Sequence, residues 1–350
     1  MLNEKELDAA VKSGVITAEQ AEALRRQQVD NSYGENETPK VARGFNDVML
    51  ALGTAIITVA LISQWFGFGI VNWPFVYATF PVLWGISELL NVRRKAVLPG
   101  IVAVIGMTIA AGYIGVHFGS SAAVPDMDRT SVRELFSYPA RVAMWAALAV
   151  AAVNAVYYAR FRLPFALLPL AAGLGIAATN ALIVQFGWEH TPQAASMLGL
   201  FFGGVLFAIA MWYDTSDPLR RTRNADCGFW LHIAAAPLIL HSLLSLLGNT
   251  PITKGVGSYL VIAIITLLTL VALVIDRRAL IVASLGYLLA AISYIVSTAS
   301  QALGGGTFAT LLVLGVVVLV IGMGWHPARR LLLAPFAGQA WVGKLPPLKV

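Results

Sequence analysis

Charge is what this sequence has least of. Only 12% of its 350 residues are Asp, Glu, Lys or Arg, against roughly 25% in a soluble domain, too few to keep a globule of this size in water. Cysteine is nearly missing: the single thiol, Cys227, has no partner in the chain for a disulfide. HExxH, GxSxG and P-loop patterns are absent, as are paired carboxylates at a useful spacing, so no catalytic residues are assigned. No cofactor or metal is expected either. Only one apolar run holds two histidines, His232 and His241, the other three sitting near run ends, and nine residues at 100° each put the two on opposite faces of a straight helix, where they cannot clamp one ion. No secretory leader is visible, because the first apolar run starts only after residue 43.

What is abundant is apolar length. Hydrophobic residues make up 58% of the chain and mean hydropathy is +0.75. Ten apolar runs stand at about 48–69, 74–92, 97–118, 139–159, 163–187, 194–213, 228–248, 258–275, 279–300 and 306–325, each near the roughly 20 residues a helix needs to cross about 30 Å of hydrocarbon. The pattern predicts an all-α, polytopic transmembrane helical bundle of about ten spans. The basic residues orient it. If the amino terminus is cytosolic, the outer segments keep only Arg129, Arg133, Arg141 and Lys254 of the 24 Lys and Arg; the rest sit inside, which predicts both termini cytoplasmic. That topology also accounts for the net charge of +6. The cations form no stripe with interleaved aromatics, so nucleic acid is not expected as a partner.

Four segments follow. Residues 1–30 read as a cytosolic helical hairpin: Asn3/Glu6 and Thr17/Gln20 have capping-box spacing, Gly14 suits a left-handed helix end, and Leu7, Val11, Ala21 and Leu24 could close on Val15 and Ile16. Residues 31–47 read as a linker, 48–325 as the transmembrane domain, and 326–350 as a cytoplasmic interfacial tail broken by proline. Trp65 and Trp73 mark the outer interface, and the outer loop leaves room for a short surface helix at 131–136. Three hairpins share the order span, tight basic turn, span, compatible with duplication or with topology alone. Gly199 with Gly203, Gly112 with Gly115, and Gly173 with Gly175 offer close helix contacts, while Pro81, Pro169 and Pro237 fall inside spans.

The stretch from Asp214 to Gly248 holds the densest polar chemistry beside a span. Arg220, Arg221, Arg223 and Asp226 form a basic loop that could bind a partner, and His232 and His241 follow it. With Asn180 and Asn154 these histidines are the candidates for a substrate path; a structural hydrogen-bonding role is the plainer reading of each. Glu88 is expected to pair with Arg93 or Arg94. No charged residue lies at mid-span, which disfavours a proton-driven carrier. The expected partners are membrane lipids and, at the hairpin or the 214–227 loop, a protein. Three functions remain open: transporter-like handling of a neutral or amphipathic small molecule or lipid; a structural or regulatory membrane subunit; and a lipid-modifying enzyme built on Arg223, Asp226 and His232.

The stretches G-V-I-T-A-E-Q-A-E-A-L and R-R-T-R-N-A-D-C-G-F-W-L-H-I-A-A-A-P-L-I-L-H, with a terminal L-P-P, resemble an uncharacterised bacterial multi-pass membrane protein family, a domain of unknown function with a short amino-terminal helical element. The resemblance implies the bacterial inner membrane and carries no residue roles. In span number the chain is also similar to drug/metabolite transporters, a likeness of architecture alone.

Overall fold

The computed structural model describes residues 4–24, 44–67, 70–122, 132–187, 191–220, 222–247, 255–299, 306–336 and 338–347. It is helical almost throughout. After α1 (Glu4–Lys12) and a helical stretch over 18–24 come α2 (Phe45–Ser63), α3 (Trp73–Ser87), α4 (Leu98–Ala122), α5 (Val132–Phe161), α6 (Leu167–Phe186), α7 (Thr191–Ser216), α8 (Arg223–Leu246), α9 (Gly255–Ile275), α10 (Ala279–Ala299) and α11 (Gly306–Leu333). Among the described residues eight helices are long and apolar enough to cross a membrane, every one from α2 to α8 together with α11. A two-residue antiparallel bridge, Phe66–Gly67 against Ile70–Val71, closes the α2–α3 turn.

The amino-terminal segment follows its sequence signals. Gly14 has φ +71, and the amides of Gly14 and Val15 bond back to Val11 and Ala10, the two bonds of a glycine-terminated helix end. Thr17 and Gln20 exchange side-chain bonds to each other's amides at 2.9 and 3.2 Å, a complete capping box. Leu7 and Ala21 are buried, whereas Val15, expected to help close the hairpin, is 76% exposed. Asn3 lies outside the described residues.

Three boundaries differ from expectation. Residues 132–136 form no separate surface helix; they are the first turns of α5, which runs unbroken from Val132. The last helix passes through Pro327 to Leu333, and Leu345 of the tail is buried in the cluster around Trp325. Pro169 sits in the first turn of α6, where a missing N–H costs little, while Pro81 and Pro237 do lie inside helices.

Close approach between the helices rests on glycine. A Cβ on Gly115 would stand 2.5 Å from Ala146 Cα, one on Gly173 2.8 Å from the Ala147 carbonyl, and those on Gly199 and Gly203 2.4 and 2.8 Å from Ser242 Oγ and Ile239. The interfaces α4–α5, α5–α6 and α7–α8 therefore depend on bare backbone. This is how helices associate where lipid removes the hydrophobic drive between them. Hydroxyls at depth are satisfied within their own helices, as where Thr54, Thr58, Thr79 and Ser87 each donate to the carbonyl four residues back. An aromatic cap of Trp65, Trp73, Tyr113 and His117 gathers around the α2–α3 turn, as expected of an interface belt. Gly115→Ala should cost about 1–3 kcal/mol, because backbone on both sides cannot yield. Gly53→Ala, which meets nothing within 4 Å, should be neutral; thermal unfolding of the detergent-solubilised variants checks both.

Candidate functional site

The 217–222 turn is shaped by one carboxylate. Asp217 Oδ2 accepts from the Thr222 amide at 2.7 Å and from its hydroxyl at 2.8 Å. Thr222 Oγ1 in turn accepts from the Asn224 amide at 3.2 Å and caps α8. The turn places Arg220 at φ +52 with its guanidinium directed at the α9–α10 connection. That connection is itself a tight helix end: Asp276 has φ +57, and the Arg277 amide bonds to Ala272 O at 2.9 Å.

Between these two turns lies a buried ionic cluster. Asp214, near the end of α7, accepts from His232 Nε2 at 3.0 Å and from Arg277 Nε at 3.0 Å, while Arg277 Nη2 bonds the second carboxylate oxygen. Side-chain exposure is 7% for Asp214, 2% for Arg277 and 0% for His232. Arg277 also donates to Ala225 O at 2.9 Å. A carboxylate only accepts, so the His232 proton sits on Nε2; Nδ1 is buried with no hydrogen-bond partner, and the Phe207 ring stands edge-on 5.2 Å away. Gly228 makes room for the carboxylate, since a Cβ there would be 2.3 Å from Asp214 Oδ1.

A second cluster abuts the first through the peptide joining Asp276 to Arg277. Asp276 Oδ1 accepts from the Trp325 indole at 2.8 Å, Arg220 reaches Oδ2 at 3.4 Å, and Arg329 Nε lies 4.0 Å from Oδ1. Arg329 spends its hydrogen bonds on backbone: Nε donates to Leu273 O at 3.0 Å, Nη2 to Pro346 O at 2.6 Å and Nη1 to Pro347 O at 3.2 Å. The ends of α7, α9 and α11, the start of α8 and the terminal tail are thus tied at one end of the bundle. Burial alone would raise the Asp276 carboxyl, but Arg220 first, then Arg329 and the Trp325 indole, hold it below its ordinary value.

The expected site residues do not converge. His232 and His241 do face apart: His232 is sealed in the cluster, while His241 is exposed and meets the Tyr287 hydroxyl through Nδ1 at 2.9 Å. Asn154 is buried and bonds Thr108 across the α4–α5 interface at 2.9 Å. Asn180 donates to Ile176 O of its own helix at 2.8 Å. Arg220 is inside the cluster, Arg223 is exposed and Asp226 half-buried; Arg221 lies outside the described residues. Glu88 pairs with Arg160 at 2.8 Å, because the π-helical turn Glu88–Arg93 carries the chain past Glu88 and leaves it facing α5. Asp276, Arg277, Trp325 and Arg329 carry the cluster yet read, in sequence, only as topological charges and an apolar aromatic. The D-R-R and W-H-P-A-R-R strings were the available signal.

Comparisons with protein families, with curated proteins and with solved structures find no match to this chain.

Arg277→Ala leaves a buried carboxylate against His232 alone and should cost about 3–5 kcal/mol, and the double change Asp214→Asn/Arg277→Met should recover a good part of that; thermal midpoints compare them. The depressed Asp276 carboxyl contributes stability that is complete above about pH 4 and is lost as pH falls through its lower folded value. The thermal midpoint should therefore drop on the acid side in the wild type. In Asp276→Asn the neutral plateau should be lower and that acid limb flatter.

Proposed function

We propose that this chain is a ten-span protein of the bacterial inner membrane, both termini and all the basic turns in the cytosol, acting as an organising or regulatory module. Its cytosolic face is held in one shape by the Asp214 and Asp276 clusters. Ten spans follow if α9 and α10, apolar helices joined by the Asp276–Arg278 turn, cross as the other eight do. The distribution of Lys and Arg supports the orientation, and the eight long apolar helices support the membrane.

One observation carries the module over a carrier. Polar side chains at depth close on one another or on their own helices, as Asn154, Asn180 and His241 do, whereas the charged groups gather at one end. A carrier of polar solutes needs the reverse, with unsatisfied groups around a mid-depth cavity. Transporter-like handling of an amphipathic molecule or lipid stands as the second reading, favoured by two apolar cavities of about 510 and 500 Å3. The exposed Arg223 and half-buried Asp226 are the proposed partner contacts.

In a Cys227→Ser background, single cysteines at 180 and 241 should resist a membrane-impermeant maleimide from either side, and a cysteine at 223 should label from the cytosolic side only. A photo-crosslinking residue at 223 or 226 should give one discrete protein adduct in native membranes. Mid-depth labelling that switches sides, with no adduct, would establish the carrier instead.

A further inference from the structure

A groove opens outward between α3 and α5. Its cavity of about 510 Å3 is lined by Phe80, Pro81, Trp84, Met107, Val153 and Val156, among others, with no charged group. The volume lies within the roughly 300–1,000 Å3 of small-ligand sites. A small residue helps leave it vacant: Ala152 faces it from α5. Pro81, Ala152 and Val156 are exposed, so the groove faces the hydrocarbon if these helices cross a membrane.

Its charged end is what singles it out. Trp84 and Glu88 are four residues apart on one helix, Val156 and Arg160 four apart on the other, so each lining residue shares a face with a charged one a turn further on. The two faces meet at the Glu88–Arg160 ion pair, 2.8 Å long and 34% and 49% exposed. Glu88 occupies one Nη of a guanidinium that carries five N–H donors. The residues that follow Glu88 present Arg93, Arg94 and Lys95, all exposed; Arg162, two residues beyond Arg160, lays its guanidinium over the Tyr158 ring instead. Four cations, Arg93, Arg94, Lys95 and Arg160, thus stand against one carboxylate where an apolar groove ends, whereas at the end of α7, α9 and α11 the buried Arg220 and Arg277 are paired with Asp276 and Asp214.

We infer that this groove binds an anionic phospholipid, one acyl chain lying along Pro81, Trp84 and Val156 and the phosphate held by Arg160 with the cations of the turn after Glu88. Apolar length leading to an excess of guanidinium at an interface is the arrangement that selects an anionic headgroup over a zwitterionic one. The inference goes beyond the module reading and does not depend on which protein, if any, the chain contacts.

Native mass spectrometry of the full chain, titrated with phosphatidylglycerol or phosphatidylcholine of identical acyl chains, tests it. One phosphatidylglycerol per chain should be retained with a preference of about tenfold over phosphatidylcholine. Arg160→Gln combined with Arg93→Gln should bring the two lipids level, and Arg330→Gln, which removes an exposed cation from the last helix, should not. Ala152→Leu, filling the groove, should weaken both lipids alike while the thermal midpoint stays unchanged. Millimolar inorganic phosphate should fail to displace the lipid. Equal retention of the two lipids in the wild type, an undiminished preference in the arginine variant, or a groove occupied by a second copy of the chain would overturn the assignment.

Discussion

A carboxylate taken out of water must be met by donors, and Asp214 is the place where that rule decides the arrangement of the molecule. Its acceptors are answered by His232 from α8 and by Arg277 from the α9–α10 turn. Gly228 cannot become larger without displacing it. Arg277 can reach it only because Asp276 turns the chain with a positive φ, and Asp276 in that position becomes the acceptor for Arg220, Trp325 and, more distantly, Arg329. Arg329 then fixes the tail through the carbonyls of Pro346 and Pro347. Each contact supplies the geometry the next one needs. Removing a single member should therefore disturb more than its own pair.

The middle of the bundle is held differently. Glycines set the distances between α4, α5 and α6 and between α7 and α8, and contacts of that kind allow helices to approach but specify their register weakly. Register is better fixed at the ends, where directional bonds are available. The α3–α5 end uses, besides the exposed Glu88–Arg160 pair, a neutral buried set for this: the Tyr157 hydroxyl donates to Ser87 Oγ at 2.8 Å and receives the Asn91 amide at 2.9 Å. A Cβ on Gly100 would fall on Asn91. The α7–α9–α11 end uses buried charge for the same purpose.

Much of the framework was legible because it is local or periodic. Apolar length announces the helices, Thr17 with Gln20 announces a cap, Gly14 a helix end, and the nine-residue interval between His232 and His241 fixes their opposite faces. The glycine contacts were legible as well, since small residues in an apolar helix have few other uses. The ionic cluster was not. Asp214 and Arg277 stand 63 residues apart, and no period connects them. Every basic turn satisfies the same topological rule, so composition does not distinguish a buried arginine from a solvated one. Asp276 added a second obstacle: the left-handed conformation it adopts is usually given to glycine, and nothing nearby marks the position.

The positive-inside rule asks only that cations stand at one face, and is indifferent to what they touch. That indifference leaves a choice, which the two parts of this chain make in opposite ways. Arg220, Arg277 and Arg329 are drawn inward, matched by two aspartates and by the carbonyls of Ala225, Leu273, Pro346 and Pro347; little of their charge remains for anything outside. Arg93, Arg94 and Lys95 stay exposed on the stretch that follows Glu88, itself paired with Arg160. On the proposal above, it is an anionic lipid that answers them. The same sequence feature therefore builds a buried joint in one part of the molecule and leaves an exposed basic surface in the other, and what separates them is the presence of a buried aspartate within reach.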